Sequence, residues 1–131
     1  MDMKAKIADY RAAMKRAEIL ALEVDDARNA TPKSPNMDGM PRSGKQTTLD
    51  LQIVIIEAAQ ARFEKAREAA LEQLNELEDL IDQLPWELQK VLYFRHIYRL
   101  KWSDVADRMH VSESTARRMH NKAIKEMQNE K

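Results

Sequence analysis

The 131-residue sequence contains no cysteine, which excludes disulfides, thiolate metal sites and a cysteine nucleophile, and fits a reducing compartment. Two glycines and four prolines are too few for the many tight turns of a sheet protein or for long structureless stretches. The longest aliphatic run, Ile53 to Ile56, falls far short of the roughly 20 apolar residues that cross a bilayer. The first residues are charged and show no apolar core of a secretory leader, so a cytoplasmic protein without membrane contact is expected. What is abundant is Met, Leu, Ala, Glu, Lys and Arg, the residues with the highest helix propensity. The expected fold class is all-α.

The formal net charge is zero, but it is unevenly distributed. Residues 1–45 carry 9 basic and 7 acidic side chains, residues 46–84 carry 3 and 9, and residues 85–131 carry 10 and 6. A basic end joined to an acidic middle lets one end approach phosphate while the rest is repelled from it.

Four segments follow from the patterning. Within residues 1–28, Met3, Ile7, Tyr10, Met14, Ala17, Ala21 and Val24 recur at heptad spacing and predict one amphipathic helix. Residues 29–46 hold three of the four prolines and both glycines and read as a linker. Residues 47–84 form a long second helix, opened by a capping box at Thr47 with Asp50 as its acidic member and ended by Pro85. Its stripe is Leu49, Ile53, Ile56, Gln60, Phe63, Arg67, Ala70, Leu74, Leu77, Ile81 and Leu84, with Gln60 and Arg67 as polar interruptions. The two stripes predict an N-terminal helical hairpin or, alternatively, a coiled coil between chains, so a homo-oligomer through the heptad helices is open. The shorter first stripe leaves apolar surface on residues 70–84 for the C-terminal domain or a second subunit.

Residues 85–131 are expected to form a three-helix helix-turn-helix domain. Five of the seven aromatics (Trp86, Tyr93, Phe94, Tyr98 and Trp102) lie there, and a domain of this size needs such bulk for its core. Val105 and Ala106 lie on a short helix, Met109-His110-Val111 form the turn, and Ser112 caps a second helix through Ala116, Met119, Ala123 and Ile124. His110 stands where many such turns place glycine, and histidine tolerates the left-handed region better than most residues. With Lys101 in place of a good cap, Ser103 is a candidate cap for a later helix start. The outward residues of the second helix are Ser112, Glu113, Ser114, Arg117, Arg118, Asn121 and Lys122. These are hydrogen-bonding and mostly cationic groups near a helix N-terminus, the part that enters a major groove, and they are the candidate DNA-binding residues. Arg117 and Arg118 lead, one to a guanine edge and the other to phosphate. Lys122 and Lys125 suit phosphate or plain solvent.

Leu84-Pro85, Val91, Phe94-Arg95, Trp102-Ser103-Asp104-Val105-Ala106 and Val111-Ser112-Glu113-Ser114-Thr115-Ala116-Arg117 together resemble sigma factor region 4. They are also similar to the sigma-like C-terminal halves of phage and prophage transcriptional regulators of the RinA/ArpU-like group. The Ser34-Pro35-Asn36 and Gly39-Met40-Pro41 segments look like part of that group as well. The resemblance implies promoter DNA and RNA polymerase as partners, in the host cytoplasm at the nucleoid, and a phage or prophage late-gene activator as the function. A complete sigma factor captures unstacked bases on aromatic platforms. Residues 1–84 offer only Tyr10 and Phe63, both on apolar stripes, so an activator or adaptor fits better than a sigma factor.

Other functions compete. Terminase small subunits, which package phage DNA, also join helix-turn-helix units to helical oligomerisation segments. A protein–protein adaptor of RNA polymerase is a third class. Gly39 to Lys45 spells the first part of a phosphate loop, but Gln46 replaces its Ser or Thr and no strand precedes it. His96, His110 and His120 lack zinc spacing and read as surface or core-edge residues. No cofactor, metal or enzymatic activity is expected.

Overall fold

The computed structural model describes residues 2–30 and 48–129. Every regular element among them is helical: α1 (Met3–Asn29), α2 (Thr48–Ile81), α3 (Trp86–Leu92), α4 (Trp102–Met109) and α5 (Glu113–Asn129). Between α3 and α4 the chain makes a π-helical turn over Tyr93–Ile97. The linker, the phosphate-loop-like stretch and Thr47 of the expected capping box lie outside the described residues.

Two compact units divide the chain, one of Met1–Ala12 with Leu71–Lys131 and the other of Ala13–Ala70. In the second unit α1 and α2 run antiparallel, with Arg62 3.7 Å from Glu23 and the Gln52 amide donating to the Ala27 carbonyl at 2.5 Å. Ala17, Leu20 and Ala66 are buried against one another, with Phe63 packed on them. This is the expected hairpin, but its seam on α2 differs from the heptad stripe. Leu49, Ile53 and Arg67 are exposed, while Ala59 and Ala66, outside the stripe, are buried together with the stripe's own Ala70. The buried line keeps its seven-residue repeat, with Ala59 and Ala66 seven apart and Phe63 and Ala70 likewise, but one row is set a residue back from the polar Gln60 and Arg67. The alanines, which let two backbones approach, take the seam, and Arg67 no longer interrupts it. Leu49, Leu51, Ile53, Val54 and Ile55 all remain exposed.

In the first unit, Met3, Ile7 and Tyr10 of α1 and Leu77, Leu80, Ile81 and Leu84 of α2 and its exit are buried, as are Leu88, Val91, Leu92, Val105, Ala106, Ala116, Ala123, Ile124 and Met127. The apolar end of the long helix therefore joins the C-terminal core, one of the two outcomes its surplus stripe left open. Lys6 pairs with Glu76 at 2.8 Å. The Tyr93 hydroxyl donates to Glu78 at 3.2 Å, tying α2 to the π turn. Burial first, and then the Glu78 carboxylate, push the Tyr93 phenol up to about 12.

Helix exits are closed without glycine. Arg99 (φ 60°) and His110 (φ 59°) both adopt the left-handed conformation. The amides after them, Leu100 and Val111, donate to the carbonyls of Phe94 and Ala106, a pattern that satisfies helix-end acceptors. His110 thus takes the place that a glycine usually fills.

Two expectations for this region are overturned. The aromatic cluster is not uniformly core, since Trp86 is 65% and Tyr98 59% exposed. With short aliphatic side chains from α2 already filling the centre, these rings are left at the rim. The cap at Ser103 is also absent: α4 starts at Trp102 with Lys101 at its cap position and no side-chain capping bond.

Candidate nucleic-acid interface

Helices α4 and α5 form the helix-turn-helix, and α5 packs on both α3 and α4. Val105, Ala106 and Ala116, all fully or nearly fully buried, set their crossing. Small side chains at the crossing let the helices approach closely. Ser112 starts α5: its hydroxyl accepts the Thr115 amide at 3.1 Å, and its carbonyl accepts the Ala116 amide at 2.9 Å. Substituting such a cap by alanine typically costs about 1 kcal/mol.

The seven sequence-derived candidates separate into three settings. Ser112 is engaged in the cap and also lies 2.9 Å from the Thr115 hydroxyl and 3.2 Å from that of Ser114. Glu113 and Arg117 pair at 3.8 Å along one flank of α5, and the Arg117 guanidinium lies 5.2 Å from the centroid of Trp102. Arg118, Asn121 and Lys122, joined by Lys125 and Glu126, line one shallow groove on the exposed side of α5. The Arg118 guanidinium donates weakly to the Thr115 hydroxyl at 3.4 Å. Ser114 is exposed at the head of that side. The outward strip is therefore Ser114, Arg118, Asn121, Lys122 and Lys125, with Arg117 at its edge.

What lies behind this helix has no signature in the sequence. His96 of the π turn is buried, and its Nε2 is 2.7 Å from Nε2 of His120 on α5. Trp102 meets the His120 ring edge to face at 5.3 Å. Arg95 lies over the same indole at 4.8 Å and donates from Nη1 to the Leu100 carbonyl at 2.9 Å. Histidines 24 residues apart carry no local signal of pairing, and His96 is a buried residue where a surface or core-edge one was expected.

Burial foremost, then the charges of His120, Arg11 and Arg95, push the His96 imidazole down to about 3. Burial likewise lowers His120, against a raising hydrogen bond to Asn121. Both rings are thus neutral at pH 7. His96 Nδ1 is buried without a partner. An unpaired buried lone pair is less costly than an unpaired buried N–H. The favoured tautomer of His96 therefore carries its proton on Nε2 and donates to His120 Nε2. His120 then carries its proton on Nδ1, facing the Asn121 carbonyl oxygen at 3.5 Å. This chain leaves the Asn121 amide NH2 free for a partner outside the protein.

Residues 74–127 match the family model described as Sigma-70, region 4. That span runs from within α2 to the last turns of α5, so this part of the chain carries a sigma-region-4-like helix-turn-helix domain of the DNA-binding type. No curated protein and no solved structure matches the chain. Among the described residues, no three or more His, Cys, Asp or Glu side chains are grouped so as to hold a metal ion, and no helix is long and apolar enough to cross a membrane.

The placement predicts different consequences for the two arginines. Arg118→Ala is expected to weaken specific DNA binding by about 1–3 kcal/mol and relax preference at one base pair. Arg117→Ala, which also frees Trp102 and Glu113, is expected to weaken all duplexes alike. Binding titrations on a site and its single-base variants check both; equal profiles for the two variants would contradict the assignment.

Proposed function

We propose that the protein is a sequence-specific DNA-binding transcriptional regulator that reads a promoter element through α5 and contacts RNA polymerase. We place it with phage or prophage late-gene activators, without catalytic activity of its own, acting in the bacterial cytoplasm at the nucleoid. The observation that carries this reading is the Ser112-capped helix α5 with its outward strip, inside a domain that matches Sigma-70, region 4.

Packing also speaks against a complete sigma factor. Tyr10 is buried and Phe63 packs on Ala17, Leu20 and Ala66, so neither ring is available to capture a base. Support for a polymerase contact comes from the rim aromatics. Asp82, Trp86, Gln89, Lys90, Tyr93, Phe94 and Tyr98 line a groove whose exposed rings suit a protein partner. The exposed Leu49, Leu51, Ile53, Val54 and Ile55 side chains offer a seat for self-association.

The test is selection of bound fragments from a tiled source genome at two salt concentrations, followed by transcription with core polymerase. Fragments upstream of a gene cluster, with affinity falling steeply as salt rises, are expected. Core polymerase plus this protein alone is expected to give no promoter-specific product, and such a product would refute the activator reading. Enrichment at a packaging site would transfer the protein to the terminase class. No enrichment at either salt would favour a polymerase adaptor.

A further inference from the structure

The DNA-reading strip of α5 is bordered by a second set of cations that does not belong to the helix-turn-helix pattern. Trp102 holds two guanidiniums, with Arg95 4.8 Å and Arg117 5.2 Å from its ring centroid. Stacking on an indole fixes the plane of a guanidinium while leaving N–H groups at its edge for an oxygen ligand. The first turns of α1 belong to the same compact unit. Their position is anchored where Gln128 near the end of α5 donates to Asp2 at 3.3 Å. From that anchor α1 covers about 14 Å to Arg11, and α5 covers about 17 Å back to Arg117.

Arg11 and Lys4 are both exposed. The charges of both act on His120, and that of Arg11 acts on His96 and Arg95 too. The Arg95 guanidinium is lowered from its ordinary value by burial first and by the repulsion of Arg11 and Arg117 second. The charged side chains that act on Arg95, His96 and His120 are thus cationic. Acidic side chains stand only at its borders in the contacts found, with Glu113 3.8 Å from Arg117 and Asp2 accepting the Lys4 backbone amide at 3.0 Å. None of the ion pairs found there involves Lys4, Arg11 or Arg95.

Like charges gathered with little counter-charge are unfavourable unless an anion completes them. The neutral His96–His120 pair adds none of its own charge and packs behind them. The cluster continues from the edge of α5, where Arg117 already borders the outward strip. An anion that runs on from a groove-bound helix in this way is the sugar–phosphate backbone of the same duplex.

We infer that Arg11 and Lys4 of α1, together with the Trp102-stacked Arg95 and Arg117, form a phosphate-backbone clamp beside the recognition helix. The N-terminal helix is therefore part of the DNA footprint and not only a hairpin arm. This rests on the reading of α5 as a DNA-binding helix. Phosphate contacts set register and affinity but carry no sequence information, so the clamp tightens every duplex and leaves base preference to Ser114, Arg118 and Asn121.

The test uses the full chain and a random-sequence duplex of about 30 base pairs, because phosphate contacts need no operator. Affinity is measured across a salt series for wild type, Arg11→Gln, Arg11→Lys and the Lys4→Gln/Arg11→Gln pair. Arg11→Gln is expected to reduce the slope of log affinity against log salt by about 0.9, and the double variant by about twice that. Arg11→Lys keeps the charge and is expected to retain the slope. Thermal unfolding of all three variants should match wild type, since both side chains are exposed.

An unchanged slope in the double variant overturns the clamp while leaving α5 as the DNA reader. A reduced affinity with unchanged slope, or a slope also lost in Arg11→Lys, overturns it as well, because the effect would then not follow charge. A wild-type chain that fails to bind the duplex even at low salt overturns the DNA reading itself and the clamp with it.

Discussion

Leu77→Ala is expected to destabilise the C-terminal unit by about 2–5 kcal/mol, the range for truncating a buried leucine that leaves a cavity. Leu77 is 0% exposed, on the part of α2 that shares a unit with the helix-turn-helix. A core of this size rarely supplies more than about 3–5 kcal/mol of net stability, so one such cavity removes most of the margin. DNA binding should fall with it, although Leu77 lies on none of the surfaces assigned to DNA. Leu77→Met, which keeps the volume, is expected to cost under about 1.5 kcal/mol. Urea unfolding followed by circular dichroism measures both. A loss below about 1 kcal/mol for the alanine variant would show that this end of α2 is not integral to the unit.

Acid is expected to unfold this unit earlier than its carboxylates alone would dictate. His96 is neutral and buried in the fold, pushed down to about 3, whereas in the unfolded chain it titrates near its ordinary value of 6.5. Between those values the unfolded chain binds the extra proton, so stability falls as pH falls. The contribution is fully present above pH 6.5 and is lost progressively on the way down towards pH 3. One such histidine changes stability by about 1.4 kcal/mol per pH unit across that window. His120, lowered for the same reason and in contact with His96, adds in the same direction.

The His96→Leu chain isolates the effect. Its unfolding free energy, measured against wild type from pH 7 to pH 4, is expected to decline less steeply. Parallel curves would mean that His96 is protonated in the fold or exposed in solution. The consequence for function is direct, because His120 sits between His96 and Asn121. Protonating the pair removes the acceptor on His120 Nε2 and places added positive charge beside Arg95 and Arg11.

Much of the helix-turn-helix was legible because its determinants are local. A hydroxyl at Ser112 caps whatever helix follows, since it reaches only its own next turn. His110 could be placed in the left-handed region because the turn demands it and histidine tolerates it. The period of Ala116, Ala123 and Ile124 marks the buried side of α5, and the same three residues are buried in the fold. That leaves the polar residues outward by geometry alone.

The relations that cross between elements were not legible. His96 and His120 meet only when the π turn packs on α5. Trp102 was counted as core bulk, yet it serves as the platform for two arginines from different elements. The π turn itself had no signature, being a local widening of one helical turn. On α2, the heptad stripe named Leu49 and Ile53 as seam residues because they are large and regularly spaced. The fold buries Ala59 and Ala66 with the stripe's own Ala70, since closeness of approach decides a seam as much as hydrophobicity does.

The sequence by itself determined the all-α class, the helix-turn-helix and the outward polar strip of α5. Each depends on propensity, periodicity and capping within a few residues. Only the tertiary structure decided which aromatics stay exposed, that two distant histidines are neutral partners, and that Lys4 and Arg11 of α1 share a unit with α5. Those outcomes depend on burial and on distances between elements, and a side chain's desolvation and neighbours exist only once the chain has folded.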